Sequence, residues 1–374
     1  EICVAKAGQA RDYPDGIPEC GVDALRFALL NYTSQGRDIN LDVLRVQGYR
    51  FFCNKIWQAV RFTLNQFAEK TDQKPTFNID LSKATPTDKW ILSKLAKTVK
   101  ETNEALKIYS FTQATTATYN FWLYDFCDVY IEAIKPVLYG DNAELRQIAI
   151  SVLHLCVDTG LRLISPMMPF ISEELWQRIP RLPDADYSSP SIIVAQYPLT
   201  EKYAKYQDEK LEAAFKFANE IVGKVRSLRA DYDLTARTKT TIQILAETAE
   251  DQAILNDLTD LLTTLTWSKS VTILGQTEKD KIEKGSAHIA CGGRCQVYIN
   301  LTGIIDTAKE IEKLGAKLQK NQISVKKISD IQSTANYETN VPAGIRLRDQ
   351  EKKASLEKEI ENITAAIAQL KALN

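Results

Sequence analysis

Arginines, amides and phenylalanines share one side of a predicted helix at residues 48–67, GYRFFCNKIWQAVRFTLNQF. With about 3.6 residues per turn, this side carries Arg50, Asn54, Gln58, Arg61 and Asn65, with Phe51, Lys55 and Phe62 along its edge. Arginine attracts phosphate, amides read base edges, and exposed rings stack on unpaired bases. These residue types predict a surface that binds single-stranded RNA.

A purely structural interpretation of the same helix has equal weight on the pattern alone. The opposite side carries the apolar or small residues Phe52, Ile56, Ala59, Val60, Thr63 and Phe67, which predict a core face. Phe51 and Phe62 could also pack beneath a neighbouring helix, because buried aromatic residues are common. The arginines would then be solvated only.

Residues suited to catalysis or metal binding are scarce. The two histidines are His154, which lies in the apolar stretch ISVLHLCV, and His288. His288, Cys291 and Cys295 offer three zinc ligands, but no fourth ligand is evident and a β-hairpin explains them better. The phosphate-binding patterns GxxxxGK[ST] and GxGxxG do not occur. We therefore expect no catalytic residue and no metal site.

Composition limits the class of protein. The 374 residues are 44% hydrophobic and 25% charged, which fits a folded chain of two or three domains. A net charge of -1 predicts that any RNA contact uses local basic patches. The seven scattered cysteines are typical of free thiols. No apolar run approaches the roughly 18 residues that span a bilayer, so no membrane partner is expected. Because the chain begins at Glu1 rather than methionine, we expect a fragment.

Periodicity predicts a mainly α chain. A loop-rich lead-in at 1–20 precedes a bundle that extends to about residue 200, with helices at 22–32, 48–67, 88–111, 114–139 and 143–164, and a short one beginning at Pro169. Asp88 is the predicted cap of the third helix. A small α/β region follows, with a helix at 210–228, a helix at 251–267, strands in TTIQILAE and SVTILG, and a hairpin turning at Gly292 and Gly293.

The last part of the chain has heptad spacing. One series is Ile304, Ile311, Leu318 and Val325, and a second is Leu356, Ile363 and Leu370. Two such helices joined through 336–344 predict an antiparallel coiled-coil hairpin, which Asn321 at a seam position would weaken. Its many lysines and arginines are, on charge alone, typical of a solvated surface.

Long stretches of the chain match motifs of a known enzyme family. They are GIPECGVDALRFALLNYTSQGRDINLDVLRVQGYRFFCNKIWQAVRF, DKWILSKL, MMPFISEELWQ and NYETNVPAGIRLRDQEKKASLEKEIENI. Together they resemble the valyl-tRNA synthetases of the eukaryotic cytosolic type over essentially the whole chain. The first motif is shared loosely with isoleucyl and leucyl enzymes, whereas the heptad hairpin singles out the valine enzyme. The HIGH and KMSKS elements of the family have no counterpart here, and Ser165 stands where many relatives have histidine.

The resemblance implies a domain organisation. Residues 1–47 would be a stem-contact or connecting segment, and 48–200 a helical-bundle anticodon-binding domain. Residues 201–303 would be a small α/β domain, and 304–374 a C-terminal coiled-coil arm that binds tRNA.

The resemblance also implies site residues. The anticodon would be contacted by Arg50, Phe51, Asn54, Lys55, Gln58, Arg61 and Phe62. The tRNA backbone would be contacted by Arg26, Arg37, Lys317, Lys320, Lys326, Lys327, Arg346, Arg348, Lys352 and Lys353. For Arg26 a salt bridge to Asp23, one turn away, is the structural alternative.

The implied function is that of the tRNA-binding portion of an aminoacyl-tRNA synthetase, a valine–tRNA ligase. The full enzyme would use ATP and Mg²⁺ to activate valine, whereas this fragment would hold no cofactor and be inactive alone. Its partners would be valine tRNA, the missing N-terminal catalytic and editing domains, and possible elongation-factor or multi-synthetase partners. A cytoplasmic location is expected, with a mitochondrial form as the alternative. The alternative functions are the same region of an isoleucyl or leucyl enzyme, or a non-catalytic helical scaffold that binds proteins.

Overall fold

The computed structural model describes most of the chain. The described residues are 2–14, 16–33, 41–68, 75–76, 78–181, 189–283, 285–304 and 307–332, together with 346, 350, 352–353, 356–357, 360, 363–364 and 367–368. The chain divides into two compact units, Glu1–Lys216 and Phe217–Asn374. We call the first the bundle unit and the second the α/β unit.

Every regular secondary-structure element in the described part of the bundle unit is a helix. Its α-helices are α1 (Ile2–Asp12), α2 (Val22–Asn31), α3 (Val43–Ala68), α4 (Pro86–Lys107), α5 (Phe111–Asn120), α6 (Ile131–Ala133), α7 (Lys135–Tyr139), α8 (Ala143–Ile164), α9 (Pro169–Trp176), α10 (Thr200–Tyr203) and the first part of α11 (Glu209–Asp231). A π-helix, Phe121–Tyr130, joins α5 to α6, and short 3-10 turns occupy Ile192–Val194 and Ala204–Tyr206. The predicted lead-in at 1–20 was wrong over α1, because Pro14 follows this helix rather than interrupting it.

Buried apolar faces hold the bundle unit together. On α3 the predicted core residues Phe52, Ile56 and Val60 are buried, as α3 packs against α2 and α8. α8 is buried along most of its length, and 89% of its most apolar 18-residue window lies inside the protein. That window is long and apolar enough to cross a membrane, contrary to the expectation from the sequence, yet a buried core helix passes the same test.

The start of α4 is a capping box. Thr85, not Asp88, is the N-cap: its hydroxyl accepts a hydrogen bond from the Asp88 amide, and the Asp88 carboxylate accepts one from the Thr85 amide. α4 therefore begins at Pro86, two residues before the predicted start, because proline suits the first helical position. Asp88 also accepts a hydrogen bond of 2.7 Å from the Tyr130 hydroxyl. Burial raises the pKa of Asp88, and the hydrogen bonds from Thr85 and Tyr130 oppose that rise.

The π-helix after α5 arranges the aromatic residues of the predicted helix 114–139. Its i to i+5 hydrogen bonding brings residues five apart onto one side, and Phe121 stacks on Phe126 with ring centroids 6.0 Å apart. Trp122 lies so close to Gly160 of α8 that a Cβ there would come within 2.7 Å of the indole ring. Periodicity of an ordinary α-helix could not reveal this geometry, although it predicted that these residues are helical.

The α/β unit contains a four-stranded sheet in the order β2-β1-β4-β3. Its elements are the second part of α11, β1 (Thr240–Ala246), α12 (Ala249–Asp257), α13 (Thr259–Leu265), β2 (Ser268–Leu274), β3 (Ser286–Cys291), β4 (Cys295–Asn300) and α14 (Thr307–Gln332). β1 is parallel to β2 and antiparallel to β4, which pairs with β3 through the predicted turn at Gly292 and Gly293, both with positive φ. The predicted helix 251–267 is two helices, since it breaks at Leu258.

The coiled-coil prediction agrees with the described residues. α14 carries Leu318 and Val325 half-buried and Ile328 buried, and the described residues of the second helix are helical, with Ile363 buried. Lys353 Nζ lies 3.5 Å from Gln332 Oε1, so the second helix lies beside the end of α14. Asn321 is buried in the seam, and its amide nitrogen has no hydrogen-bond partner within the described residues. The predicted link at 336–344 lies outside them.

Asp125 of the π-helix generates a prediction about pH. Burial raises its pKa from 3.8 to about 6; Lys94, at 3.2 Å, opposes the shift, Glu212 adds to it, and Lys97 opposes it. Since the folded state keeps a proton that the unfolded chain has released, the free energy of unfolding should fall as pH rises through about 6. In Asp125→Asn the free energy of unfolding should fall less between roughly pH 4 and 7 than in the wild type, by up to about 3 kcal/mol.

Urea unfolding of both proteins across that range measures the difference. Asp128→Asn, at an exposed carboxylate in the same unit, is the control. Parallel profiles for wild type and Asp125→Asn would contradict the prediction.

Candidate nucleic-acid interface

The outer face of α3 presents the predicted polar residues to solvent. Exposed members of this face are Arg50, Asn54, Lys55, Gln58 and Arg61. The Phe51 side chain is 60% exposed, whereas Phe62 is half-buried. Asp42 caps the helix by accepting a hydrogen bond from the Leu44 amide at 2.9 Å. Of the two phenylalanines, Phe51 is therefore the one available to stack on a ligand.

Lys55 is held on this face by an exposed ion pair. Its Nζ lies 3.3 Å from Asp128 Oδ1, and the two side chains are 54% and 46% exposed. An exposed pair of this kind is worth about 0–1 kcal/mol, so a phosphate could replace the carboxylate at small cost. Asp128 thus partly neutralises the positive charge of this face, while Lys55 remains on it.

Two side chains of α2, Asp23 and Arg26, form a clamp that holds the start of α9 beside this face. The Asp23 carboxylate accepts hydrogen bonds from the amides of Phe170 and Ile171, at 3.3 and 2.7 Å, in the first turn of α9. One turn along α2, Arg26 donates to the carbonyls of Pro166 and Met167, at 3.1 and 3.3 Å. The predicted alternative for Arg26, a salt bridge to Asp23, was wrong. Asp23 instead binds backbone amides at the start of α9, and Arg26 binds backbone carbonyls just before it.

The clamp leaves an open cavity between α2, α3 and α9, which we call the Trp57 cavity. Its volume is about 400 Å³, and its walls include Arg50, Asn54, Trp57 and Phe170. Phe170 is 64% exposed and Trp57 is 37% exposed, and the Arg178 guanidinium lies 5.8 Å from the Trp57 ring centre. Gly21, with φ of +85°, lets the chain pass beside Arg50: a Cβ there would lie 3.4 Å from its Nη1.

Sequence reasoning missed Trp57 and Phe170 as candidate residues. Trp57 follows Asn54 by three positions and Arg50 by seven, so helical spacing alone could have found it. Phe170 belongs to a segment more than a hundred residues away, and no local pattern connects it to α3.

The chemistry that this surface supports is binding. Guanidinium, amide and aromatic groups can hold phosphates, base edges and base faces. Burial raises the pKa of Cys53 to about 11, so its thiol stays protonated. No three His, Cys, Asp or Glu side chains are grouped as metal ligands in the described part of the chain.

The other histidines and cysteines have structural surroundings. His154 is buried, its Nε2 lies 2.8 Å from the Pro180 carbonyl oxygen, and burial lowers its pKa. His288 stacks on Tyr298 across the hairpin, with ring centroids 5.6 Å apart. Burial raises the pKa of Cys291, and raises that of its cross-strand neighbour Cys295 to about 12.

Two arginines near the end of α11, Arg226 and Arg229, bind within the α/β unit. Arg229 is 1% exposed and donates to Thr240 Oγ1 and to the carbonyls of Thr235 and Thr238. Arg226 donates twice to the Leu265 carbonyl and lies 4.9 Å over the Trp267 ring. Both guanidinium groups bind oxygens within the unit, and Arg226 also remains exposed.

Comparison with known proteins identifies the family. Residues 88–244 match the family described as "Anticodon-binding domain of tRNA ligase". The whole chain is 79% identical to a part, 36%, of valine–tRNA ligase from Caenorhabditis elegans. The chain carries an anticodon-binding domain of the tRNA ligases.

Other valine–tRNA ligases extend the likeness. The rat protein is 40% identical over 98% of this chain, which corresponds to 29% of the rat protein. The human mitochondrial protein is 37% identical over all of this chain, or 34% of that protein. The chain thus spans about a third of the length of the curated relatives it matches. The predicted resemblance to the valyl-tRNA synthetases is confirmed.

The match to the anticodon-binding domain of tRNA ligases begins at Asp88, after α3, and ends within β1. It covers α4 to α11 and does not reach the outer face of α3, whose RNA contacts stay a prediction. The same holds for the backbone contact of Arg26, although its guanidinium is exposed beside the carbonyls it binds.

The predicted backbone-binding residues of the C-terminal hairpin, and Arg37, are only partly described. Lys320, Lys326, Lys327 and Lys352 are exposed. Lys353 and Arg346 are half-buried, and the Arg346 Nε has no hydrogen-bond partner among the described residues. Arg37, Arg348 and the side chain of Lys317 lie outside the described residues.

The clamp yields a prediction about stability. Asp23→Ala removes both acceptors of the first α9 amides, and we expect the free energy of unfolding to fall by about 1–3 kcal/mol. Asp128→Ala removes the same charge from an exposed ion pair and should cost less than about 1 kcal/mol. Urea unfolding measures both, and equal losses would show that the clamp contributes no more than a surface pair.

Proposed function

We propose that this chain is the anticodon-recognising and tRNA-positioning portion of a valine–tRNA ligase. The observation that carries the proposal is an exposed Phe51 set among Arg50, Asn54, Lys55, Gln58 and Arg61 on one helix face. An exposed phenylalanine among guanidinium and amide groups offers a ring on which an unpaired base can stack. The match to an anticodon-binding domain supports the same assignment.

Each group on the face has a proposed task. Phe51 stacks on an anticodon base, Asn54 and Gln58 bind base edges, and Arg50, Lys55 and Arg61 bind phosphate or base. Phe62 is half-buried on the same helix, so we propose that it packs towards the core more than it contacts the anticodon. Trp57 and Phe170 add aromatic surface beside Asn54.

The proposed role of this portion in aminoacylation is indirect. The complete enzyme would activate valine with ATP and Mg²⁺ and transfer it to the acceptor end of its tRNA, using catalytic and editing domains outside this chain. Binding energy at the anticodon, remote from the reacting atoms, would orient that acceptor end. We assign no residue of this chain to ATP or Mg²⁺.

The four proposed regions divide this work. Residues 1–47 contact the tRNA stem through Arg26 and Arg37, and 48–200 recognise the anticodon. Residues 201–303 form the small α/β domain, and residues 304–374 form an arm whose lysines and arginines meet the tRNA backbone. Exposed Lys320, Lys326, Lys327 and Lys352 support the last assignment.

We further propose that the ligand is valine tRNA and that the protein acts in the cytoplasm, where elongation factors or other synthetases could be its partners. The 79% identity to a relative named without an organelle, against 37% to a mitochondrial one, supports that location. Exchanging the anticodon of a valine tRNA transcript for that of isoleucine or leucine tests specificity. Equal affinity for all three transcripts would contradict anticodon reading.

Removal of the Phe51 ring tests the stacking proposal. Phe51→Ala should weaken binding of valine tRNA by roughly 1–3 kcal/mol, which is about fivefold to a hundredfold or slightly more in Kd. Tyr139→Ala removes a ring of similar exposure from α7 and should leave the Kd unchanged. Filter binding measures the affinities, and circular dichroism checks the fold. An unchanged Kd for Phe51→Ala in a folded protein would remove the ring from the interface.

The lysines of the C-terminal hairpin are expected to affect the salt dependence of tRNA binding and not its sequence specificity. Replacing Lys320, Lys326 and Lys327 together by glutamine should weaken binding of many tRNAs similarly. It should also reduce the slope of log K against log salt by about 0.7–0.9 for each phosphate that the protein no longer neutralises. The matched control replaces three exposed lysines of the sheet region, Lys239, Lys269 and Lys279. Identical slopes for both triple variants would contradict a specific role for the arm.

A further inference from the structure

A second cavity in the bundle unit, the Arg45 cavity, lies between α2, α3 and α5. Its volume is about 340 Å³, and its lining residues are Asn31, Arg45, Gly48, Tyr49, Thr116 and Tyr119. The Trp57 cavity is lined by a different set of residues, although both cavities use α3. The volume is near the lower end of the roughly 300–1,000 Å³ typical of small-ligand pockets. Its size suits a phosphorylated nucleoside better than a large cofactor.

The lining of the Arg45 cavity is rich in donors and contains no carboxylate. Arg45 contributes a permanent positive charge, and no carboxylate in the described part of the chain forms an ion pair with it. Asn31 uses one amide hydrogen on Thr115 Oγ1, at 3.0 Å, and has a second to offer. Burial raises the pKa values of Tyr49 and Tyr119, so both hydroxyls keep the hydrogen that they can donate.

The guanidinium of Arg45 is held at the edge of this cavity. Its Cζ lies 5.0 Å from the centre of the Tyr32 ring, a cation–π distance. A hydrogen bond with Tyr32 makes the largest contribution to its raised pKa, which burial opposes, and Tyr49 adds to the rise. The Tyr49 and Tyr119 hydroxyls, being protonated, can donate to a ligand.

Aromatic packing fixes the tyrosines behind the donors. Tyr49 and Tyr119 meet edge to face with centroids 6.0 Å apart, and Tyr49 lies 5.1 Å from the buried Phe27. Hydrogen bonds from Asn31 to Thr115 and from Thr112 to the Asn31 carbonyl join α2 to α5 behind the cavity. The donors are therefore held in place before a ligand arrives, which reduces the ordering that binding requires.

We propose that the Arg45 cavity binds one phosphate group of a nucleotide, with Arg45 as the charged partner and Tyr49, Tyr119 and Asn31 as neutral donors. The sugar or base then lies against the tyrosine rings. That this nucleotide belongs to tRNA rests on the proposed function, whereas the phosphate chemistry rests on the cavity alone.

Two substitutions test the site by independent routes. Arg45→Gln removes the charge and should weaken tRNA binding about tenfold to a hundredfold, because hydrogen bonds to charged groups are strong. It should also reduce the salt slope by about 0.7–0.9. Gly48→Leu should have the same two effects by filling the cavity, since a Cβ at Gly48 meets no atom within 4 Å.

Two further variants refine and control the measurement. Tyr119→Phe removes one neutral donor and should weaken binding by a few fold, about fivefold, while leaving the salt slope unchanged. Lys100→Gln removes an exposed charge from α4 and should change neither quantity. Circular dichroism and melting of each variant confirm that it is folded.

Titration with adenosine monophosphate separates this inference from the proposed function. Wild type should bind the nucleotide at low salt, and Arg45→Gln and Gly48→Leu should not. If Phe51→Ala weakens tRNA binding while neither cavity variant affects tRNA or nucleotide, the cavity proposal is overturned and the proposed function stands. If wild type binds the nucleotide but no tRNA, the phosphate site stands and its ligand is a free nucleotide.

Discussion

Two side chains one turn apart on α2 determine how the candidate surface is assembled. Asp23 accepts hydrogen bonds from the first amides of α9, and Arg26 donates to the carbonyls just before α9. A single helix, α2, therefore binds both the N–H groups and the C=O groups of one turn of the chain. A helix N-terminus favours a carboxylate, and free carbonyls favour a guanidinium. This match joins segments that are more than a hundred residues apart, and α3 then packs on the same α2 through Phe27 and Phe52.

The consequence for binding is a surface whose parts are rigid before RNA arrives. Phe51 and Arg50 project from a helix whose opposite side is buried, and Phe170 projects from the first turn of a helix held by Asp23. Loops would lose conformational freedom on binding, whereas side chains on packed helices lose less. The weak pair between Lys55 and Asp128 is the part of this surface that can rearrange.

Local periodicity predicted the elements that depend on local chemistry. The buried and exposed sides of α3, the ends of α8, the hairpin turn at Gly292 and the heptads of α14 all follow from spacing within a few turns. The Trp57 cavity could be predicted only in part, because Phe170 reaches it through a tertiary contact. The π-helix was missed since its period differs from that of an α-helix. The burial of Arg229 could not be predicted, because sequence does not reveal that three oxygens surround its guanidinium.

Asn321 gives the coiled-coil arm a property that its apolar residues would not. An all-apolar seam can slide by a heptad or exchange with the arm of another molecule, and each such pairing buries similar surface. A buried amide without a partner lowers the stability of every such pairing, because no hydrogen bond offsets its removal from water. Asn321 therefore limits the stability that the apolar seam gives to the arm, so the arm is held together less tightly than its heptads alone would allow.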